Sequence, residues 1–391
     1  MSTRLLTKIE LKEDLAKVLL KQGYRVKNSV LQLRKDDRES KRQAHLLAKA
    51  ERIIAQENFI LKNISLIEKS LINGCDLDVS KIKPKLILVE PRSEWEKIFR
   101  WWSLVWWSLP NERSYGRQMR FIVWDSYHKA PIGLIGLQSP ILSWSVRDSF
   151  LKIKPEKRDY WVNQSLSAQR LGALPPYNDV LGGKLVASLL TSNVVRNEFE
   201  RKYRNAKTVM KNRKIPPRLL FITTTGAYGK SSIYSRLKFG GREIVKFIGY
   251  SHGVGSFHIP NYLYDNLIKY LASKDIDTSR GYGSGPSRKL RLIDQSMSLL
   301  GFKHGTKHDI KRGVYIFELT TNLEAVISKG EKPKWVHRSV KALSKYWMDR
   351  WGIPRSQRDN TYLNFNKDKF ITQTIKELEG FKKSYKNIRN A

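Results

Sequence analysis

The sequence has almost none of the residues from which cross-links and sulfur-based metal sites are built. Cys75 is the only cysteine among 391 residues, so the chain cannot form an internal disulfide. A zinc or iron–sulfur site that is rich in thiolates needs several cysteines at short spacing and is also excluded. Because disulfides mark oxidising compartments, their absence predicts a reducing, cytoplasmic location.

Long hydrophobic runs are absent too. The most apolar window, residues 101–109, has about half the length of a membrane-spanning helix, which needs about 20 residues. The first 30 residues alternate charged and apolar side chains, which is not the pattern of a secretory signal peptide. We therefore expect a soluble protein without a membrane partner.

Acidic residues are scarce relative to basic ones. The 36 Asp and Glu residues face 73 Lys and Arg residues, which gives a formal net charge of +37. This excess is far larger than solubility requires and predicts a polyanionic partner, with DNA as the first candidate and RNA as the second. Hydrophobic residues make up 40% of the chain, which excludes disorder of the whole chain.

The chain is long enough for two or three structural units. Apolar residues at helical spacing predict a helical arm over residues 1–90. The best strand signals lie in residues 91–250, for which we predict an α/β core with a mixed sheet and flanking helices. Residues 251–391 predict a basic α/β (α+β) module whose last twenty residues form a frayed tail.

The predicted core has the order β, β, β, α, β, α, β. A turn at residues 126–130 between two strand patterns predicts a hairpin. The strands are predicted at residues 120–125, 131–138, 161–174, 218–223 and 243–249, and the helices at residues 184–203 and 230–239.

Two junctions between a predicted strand and a helix could bind an anion, because a helix N-terminus offers unpaired N–H groups. At the first junction, Gly182 and Gly183 would allow close approach of a phosphate, and Lys184 would add charge. A tight turn explains the paired glycines equally simply. The second junction, residues 223–232, misses the phosphate-loop pattern of NTPases because its first glycine would have to replace Thr224.

The segment around these junctions resembles the acetyl-CoA-dependent N-acetyltransferase (GNAT) superfamily. The order of strand, loop, helix, strand and helix is similar, and residues 234–239, YSRLKF, are similar to the end of that superfamily's fourth helix. The resemblance implies a GNAT-like core, acetyl-CoA as cofactor, and Tyr234 as the proton donor. If this core is active, we expect Ser232 or Asp179 to act as an auxiliary group. A phenol suits this role, because its pKa near 10 keeps the proton available at neutral pH. An ordinary core tyrosine is the simpler alternative.

A run of basic residues begins in the last turn of the predicted helix at 184–203. Residues 200–246 contain 13 basic and two acidic side chains. Such a run neutralises phosphates and releases counterions, so we predict a nucleic-acid-binding surface. Its members are Arg201, Lys202, Arg204, Lys207, Lys211, Arg213, Lys214 and Arg218.

The remaining motifs give weaker signals. His304 and His308 would share one face of a helix, but Gly305 and the neighbouring lysines favour a loop, so we expect no metal site. A nuclease needs clustered carboxylates for Mg²⁺, and the core offers only isolated ones, which leaves this alternative open. The tryptophans at residues 95–107 repeat at helical spacing, which indicates core packing.

Residues 119–318 resemble the Druantia anti-phage system protein A family, bacterial proteins of poorly defined activity. The likeness rests on residues 133–140 (GLIGLQSP), the Arg147–Asp148 pair, residues 169–190, residues 281–294 and residues 304–319. It implies bacterial defence against phage, with nucleic acid as the target and other defence-system proteins as possible partners. The leading class of function is a group transferase acting on nucleic acid. The alternatives that stay open are a binding scaffold without chemistry and a nuclease or phosphate-loop-like NTPase.

Overall fold

A computed structural model describes residues 5–109, 114–209, 211–279 and 287–389. It is a mixed α/β protein, as predicted, in which helices flank a sheet of seven strands. The strands are β1 (Tyr24–Lys27), β2 (Val30–Leu33), β3 (Pro84–Leu88), β4 (Gln118–Asp125), β5 (Ala130–Gln138), β6 (Ser165–Ala173), β7 (Phe221–Thr225), β8 (Lys238–Phe239), β9 (Arg242–Glu243), β10 (Lys246–Tyr250) and β11 (Gly313–Glu318).

Fifteen α-helices are found in the described residues. In the first half of the chain they are α1 (Lys8–Lys21), α2 (Arg38–Ile54), α3 (Glu57–Lys62), α4 (Ile64–Glu68), α5 (Glu94–Val105), α6 (Ser145–Phe150), α7 (Arg158–Val162), α8 (Gly182–Leu189) and α9 (Asn193–Tyr203). The second half contains α10 (Asn261–Ala272), α11 (Arg288–Leu299), α12 (Leu323–Lys329), α13 (Val340–Trp347), α14 (Ile353–Arg358) and α15 (Lys367–Arg389). A π-helix, Met348–Gly352, joins α13 to α14. None of the helices in the described ranges is long and apolar enough to cross a membrane.

The main sheet has the strand order β10-β11-β7-β6-β5-β4-β3. β6 and β7 run parallel, and every other neighbouring pair is antiparallel. A parallel pair needs a crossover connection, and α8 and α9 supply it. β3 lies within residues 1–90 and β11 lies within residues 251–391. Both of these segments thus contribute a strand to the main sheet.

The predicted hairpin is confirmed as β4 and β5. The carboxylate of Asp125, which is fully buried, organises its turn by accepting hydrogen bonds from the backbone N–H groups of Lys83 and Tyr127. Asp125 also accepts from the hydroxyl of Tyr177, at 3.0 Å, and lies 2.6 Å from Nδ1 of His128. These contacts fix the turn, because a buried carboxylate must be satisfied by several donors.

Helices cover both faces of the sheet. On one face, Val186 of α8 and Phe199 of α9 pack into the largest hydrophobic cluster with strand residues such as Leu171. On the other face, α5 places Trp101 and Trp102 against Ile122, and both indole rings are fully buried. The predicted core role of these two tryptophans is thus confirmed.

The N-terminal segment packs on the C-terminal part of the chain. α1 begins with a capping box between Thr7 and Glu10, and its apolar face joins a hydrophobic cluster with α10 and α11. The segment is less purely helical than predicted, because the β1–β2 hairpin follows α1. Gly23, with a φ of +88°, allows the sharp exit from the helix.

Four predicted elements differ from the structure. The strand predicted over residues 161–174 begins only at Ser165, because α7 occupies its first part. The helix predicted over residues 184–203 is divided into α8 and α9, because Ser192 has extended backbone angles. Within the helix predicted over residues 230–239, residues 232–236 form a turn and residues 238–239 form β8. The tail predicted to fray lies in α15 as far as Arg389, because Ile371 and Leu378 are buried in a hydrophobic cluster, and residues 390–391 lie outside the described residues.

Candidate nucleic-acid interface and the predicted catalytic junction

The predicted proton donor, Tyr234, lies in the turn segment after β7 and not on a helix. Its ring packs edge-on against Tyr315 and Phe317, and the residue is only 7% exposed. Burial raises the pKa of Tyr234 to about 12, although a hydrogen bond with Thr224 opposes the shift. These contacts describe a well-packed core tyrosine that keeps its proton at neutral pH.

The two predicted auxiliary residues lie in different surroundings. Ser232 is exposed, and its carbonyl oxygen accepts a hydrogen bond from Lys184. Asp179 faces α14, where Arg355 donates to its carbonyl oxygen. Burial, and then the nearby carboxylate of Asp359, raise the pKa of Asp179. No hydrogen bond in the described ranges joins the side chains of Ser232 or Asp179 to that of Tyr234.

The glycine pair at the start of α8 lies where the backbone is crowded. A Cβ atom on Gly182 would lie 2.5 Å from the carbonyl oxygen of Tyr177, so only glycine fits without movement. A Cβ atom on Gly183 would lie 3.2 Å from the side chain of Ile233. Both glycines thus allow α8 to pack closely against the protein itself.

The ammonium group of Lys184 is bound by the chain. It donates hydrogen bonds to the carbonyl oxygens of Ser232, Ile233 and Ser235, at 3.1, 3.1 and 2.8 Å. Burial, and then the charges of Arg236 and Arg350, lower the pKa of Lys184. Three acceptors use all three N–H groups of an ammonium. In this arrangement the predicted anion cradle is filled by residues 232–235, and the glycines and Lys184 do not fit the pyrophosphate of a bound coenzyme.

The predicted basic run forms the end of α9 and a short hairpin. Lys207 and Lys214 face each other in an antiparallel bridge, and Thr208 and Arg213 are joined by a backbone hydrogen bond. Arg204, Lys207 and Lys214 are exposed, and none of the three pairs with a carboxylate in the described part of the chain.

The other members of the run have partners. Arg201 pairs with Glu198 at 2.7 Å, and Lys211 and Arg213 both pair with Asp159. Lys202 donates to the carbonyl oxygen of Gln118, and Arg218 donates to the side-chain oxygen of Gln164. The paired residues fasten the hairpin and the helix end to the fold, which leaves the three unpaired cations on the outside.

A buried cluster of histidines was missed by the sequence analysis. His45 of α2, His258 and His308 come together with Phe257 and Arg312. His308 lies in a loop and not on a helix shared with His304, whose φ is +54°. Among the described residues, no group of three His, Cys, Asp or Glu side chains could hold a metal ion. More than 200 positions separate His45 from its partners, so no sequence spacing could have revealed the cluster.

The Arg147–Asp148 pair forms a buried ionic clamp. Arg147 is fully buried, donates to the carbonyl oxygens of Ile141 and Leu142, and pairs with Asp148 at 2.6 Å. The second carboxylate oxygen of Asp148 lies 3.0 Å from Nε of Arg158 and accepts from the backbone of Trp144. The pair thus holds residues 141–148 against α7.

The fold and the surface together define a mixed α/β protein with a seven-stranded sheet and a strongly basic composition. Residues 34–329 match the family described as Druantia protein DruA. The chain is also 35% identical over 363 residues to the Druantia protein DruA of Escherichia coli (strain UMEA 4076-1), covering 91% of this chain and 90% of that protein. The chain belongs to the DruA family, as its sequence predicted. This membership supports a role in bacterial anti-phage defence. No solved structure matches the chain.

Proposed function

We propose that the protein binds nucleic acid, DNA foremost, through the basic surface formed by Arg204, Lys207 and Lys214, as part of a bacterial anti-phage defence. The charge balance supports this proposal. If each of the 36 carboxylates paired with one cation, 37 of the 73 basic side chains would still lack an acidic partner. Phosphate groups of a nucleic acid would supply the missing negative charge.

The observation that carries the proposal is the bridge between Lys207 and Lys214. Like charges directly opposite each other on an antiparallel pair destabilise it. Here both lysines of the pair are exposed on a short hairpin, and neither has a carboxylate partner in the described ranges. A phosphate between the two ammonium groups would relieve their repulsion. An exposed hairpin with two opposed lysines is therefore suited to bind the phosphates of a nucleic-acid backbone.

The test is a salt series of DNA binding. We expect the logarithm of the binding constant to fall linearly with the logarithm of the salt concentration, with a slope of about −0.9 for each phosphate contacted. A variant with Arg204→Gln, Lys207→Gln and Lys214→Gln is expected to lose about two to three units of slope.

The matched control removes three exposed charges elsewhere, with Lys8→Gln, Lys12→Gln and Lys17→Gln on α1. We expect this control to retain the slope of the unaltered protein. An equal loss in both variants would show a diffuse charge effect and would refute an interface at the hairpin. Duplex DNA, single-stranded DNA and RNA are compared at one salt concentration to determine the preferred polymer.

Group transfer by a GNAT-like core is a second candidate, favoured by one observation. β6, the α8–α9 connection and the parallel strand β7 follow the order of the superfamily's fourth strand, third helix and fifth strand. The contacts of Lys184 and the buried Tyr234 weigh against it. Saturating acetyl-CoA should raise the melting temperature if the coenzyme binds. An unchanged melting temperature would eliminate this candidate.

The defence context makes other proteins of the same system candidate partners. We propose that the protein acts in the cytoplasm, where it would meet nucleic acid. Co-purification of tagged protein from its own host, before and after nuclease treatment, separates protein partners from proteins bridged by nucleic acid. Loss of every partner after nuclease treatment would argue against direct protein contacts.

A further inference from the structure

Two arginines flank a glycine in one row across the main sheet. Arg120 of β4 is opposite Gly136 of β5, and Gly136 is opposite Arg170 of β6. Directly opposed residues point to the same face of a sheet, and neighbouring strands lie about 4.8 Å apart. The two arginine backbones are therefore separated by about 10 Å, across a position that has no side chain.

Arg170 is a buried cation that has no partner among the described residues. It is 6% exposed, its Nε atom has no hydrogen-bond partner, and no carboxylate pairs with it in the described part of the chain. Burial, and then the charges of Arg52 and Arg120, lower the pKa of Arg170 to about 9. A buried cation is costly unless it is paired. Nothing in the described ranges thus satisfies the Nε atom of Arg170, which an added anion would do.

The neighbours of Arg170 shape the site. Phe99 of α5 fills the space over Gly136, where a Cβ atom would lie 3.1 Å from its Cζ atom, and the guanidinium group of Arg120 lies 5.9 Å from the centre of its ring. Arg120 also contacts Glu96 at 3.4 Å and donates to Gln118 at 3.1 Å. In the described part of the chain, Glu96 is the carboxylate that touches this row. The charge of Arg52 also acts on Arg170.

We propose that Arg120 and Arg170, supported by Arg52, form a binding site for a phosphate monoester. Guanidinium groups bind phosphate oxygens through paired N–H donors, which a lysine cannot reproduce. A phosphate monoester carries about −1.5 to −2 charges at pH 7, which suits a site where guanidinium groups outnumber carboxylates. The phosphate belongs either to the end of a nucleic-acid strand or to a free small molecule.

This site does not depend on the hairpin of Lys207 and Lys214. It lies on the sheet face that α5 covers, whereas the hairpin follows α9. The two proposals can therefore fail separately. The variant with three substitutions at Arg204, Lys207 and Lys214 is expected to bind inorganic phosphate as tightly as the unaltered protein.

The test is calorimetric titration of the full chain with inorganic phosphate at constant ionic strength. We expect saturable binding to the unaltered protein and binding at least about tenfold weaker to Arg170→Met, which corresponds to about 1.4 kcal/mol. Arg120 lies at the more exposed end of the row, and Arg120→Gln is expected to weaken phosphate binding as well. If Arg170→Met does not fold, Arg120→Gln alone tests the site.

The matched control is Arg338→Met. Arg338 is another buried arginine whose Nε atom lacks a hydrogen-bond partner, but it lies outside the row. Burial lowers the pKa of Arg338 to about 10, and the charge of Glu318 opposes this shift. Arg338→Met is expected to leave phosphate binding unchanged. Absence of saturable binding to the unaltered protein would refute the site. So would an affinity in both Arg170→Met and Arg120→Gln that equals the affinity of the unaltered protein.

A second arm identifies the source of the phosphate. Oligonucleotides with a 5′-phosphate and a 5′-hydroxyl are compared at equal length and sequence. Tighter binding of the phosphorylated strand by the unaltered protein, but not by Arg170→Met, assigns the site to a strand end. Binding of inorganic phosphate without any preference for the phosphorylated strand assigns it to a small phosphate.

Discussion

The Nη2 atom of Arg312 donates a hydrogen bond to Nε2 of His45, over a distance of 2.7 Å. The other ring nitrogen of His45, Nδ1, lies 2.6 Å from the carbonyl oxygen of Lys41 and must carry the proton, because a carbonyl only accepts. His45 is therefore neutral in the folded protein. Burial, and then the charge of Arg312, lower its pKa to about 3.

This arrangement predicts a loss of stability in acid. His258 and His308 are buried beside His45, and their pKa values are lowered to about 4 and about 2, mainly by burial. A histidine with a lowered pKa binds fewer protons when folded than when unfolded, where its pKa is near 6.5. Its stabilising contribution is complete above pH 6.5 and is lost as the pH falls toward the folded value.

We expect the free energy of unfolding, from urea titrations at pH 7, 6, 5 and 4.5, to decrease below pH 6.5. Each buried histidine contributes a slope of up to about 1.4 kcal/mol per pH unit. His45→Gln is expected to reduce the slope, whereas His304→Gln, which alters an exposed loop residue, should leave it unchanged. The same slope in His45→Gln and the unaltered protein would contradict this assignment.

The Arg147–Asp148 clamp gives a prediction for stability. Asp148→Asn removes one charge from a buried group that contacts two guanidinium groups, and the uncompensated Arg147 stays in the interior. Breaking a buried ion pair in this way typically costs about 3–5 kcal/mol. We expect a loss at the lower end of this range in urea unfolding, because Arg158 is partly exposed.

The control for this clamp is Glu324→Gln, which removes the exposed ion pair between Lys152 and Glu324. Exposed pairs contribute little, so no measurable change is expected. Comparable losses in Asp148→Asn and Glu324→Gln would show that the burial of the clamp is not what makes it stabilising.

Local sequence patterns predicted those parts of the fold that local contacts stabilise. The β4–β5 hairpin has its own turn, and the core role of Trp101 and Trp102 follows from helical spacing. The helix predicted over residues 230–239 was wrong because Lys184, about fifty positions away, binds the carbonyl oxygens that a helix would use. Arg236 also has a φ of +60°, which a right-handed helix does not permit.

The same reasoning explains what the sequence could not indicate about the sites. The basic run was visible because its members are close in sequence, although the acidic partners Asp159 and Glu198 could not be assigned to it. The row from Arg120 to Arg170 depends on the register of three strands, including an irregularity between Gly136 and Leu137. The register of the three strands cannot be predicted from one sequence when the strand pairing is unknown.

Lys184 provides a prediction that separates a structural lysine from an anion-binding one. Lys184→Met removes three hydrogen bonds to the carbonyl oxygens of residues 232–235 while it keeps most of the side chain. Hydrogen bonds from a charged donor contribute about 1.5–3 kcal/mol each, and partial exposure reduces the total, so we expect a loss of about 2 kcal/mol. Amide hydrogen exchange in residues 230–236 should become faster.

The control for this lysine is Lys230→Met, a substitution in the same turn segment that leaves the three bonds of Lys184 intact. We expect Lys230→Met to change the stability, and the amide exchange in residues 232–235, much less than Lys184→Met does. If Lys184→Met leaves exchange in this segment unchanged, the lysine does not hold it, and an anion-binding role becomes the better explanation.

Two glycine-to-alanine substitutions test the close packing at the start of α8. In a helix, alanine is more favourable than glycine by about 1 kcal/mol unless the new Cβ atom meets an obstacle. At Gly380 of α15, nothing lies within 4 Å of that Cβ atom, so Gly380→Ala should stabilise the protein by about 0.5–1 kcal/mol. At Gly182, the Cβ atom would lie 2.5 Å from the carbonyl oxygen of Tyr177, a backbone atom, so α8 would have to move.

We therefore expect Gly182→Ala to destabilise the protein by about 1–3 kcal/mol, the usual cost of overpacking, while Gly380→Ala raises the melting temperature. Both are measured by thermal and urea unfolding of the full chain. The two substitutions are chemically identical. The opposite signs of their effects on stability would therefore follow from the short distance between the Cβ position of Gly182 and the carbonyl oxygen of Tyr177. If Gly182→Ala were as stabilising as Gly380→Ala, the approach of Tyr177 to α8 would be looser than described, and residues 182–184 would have room for a ligand.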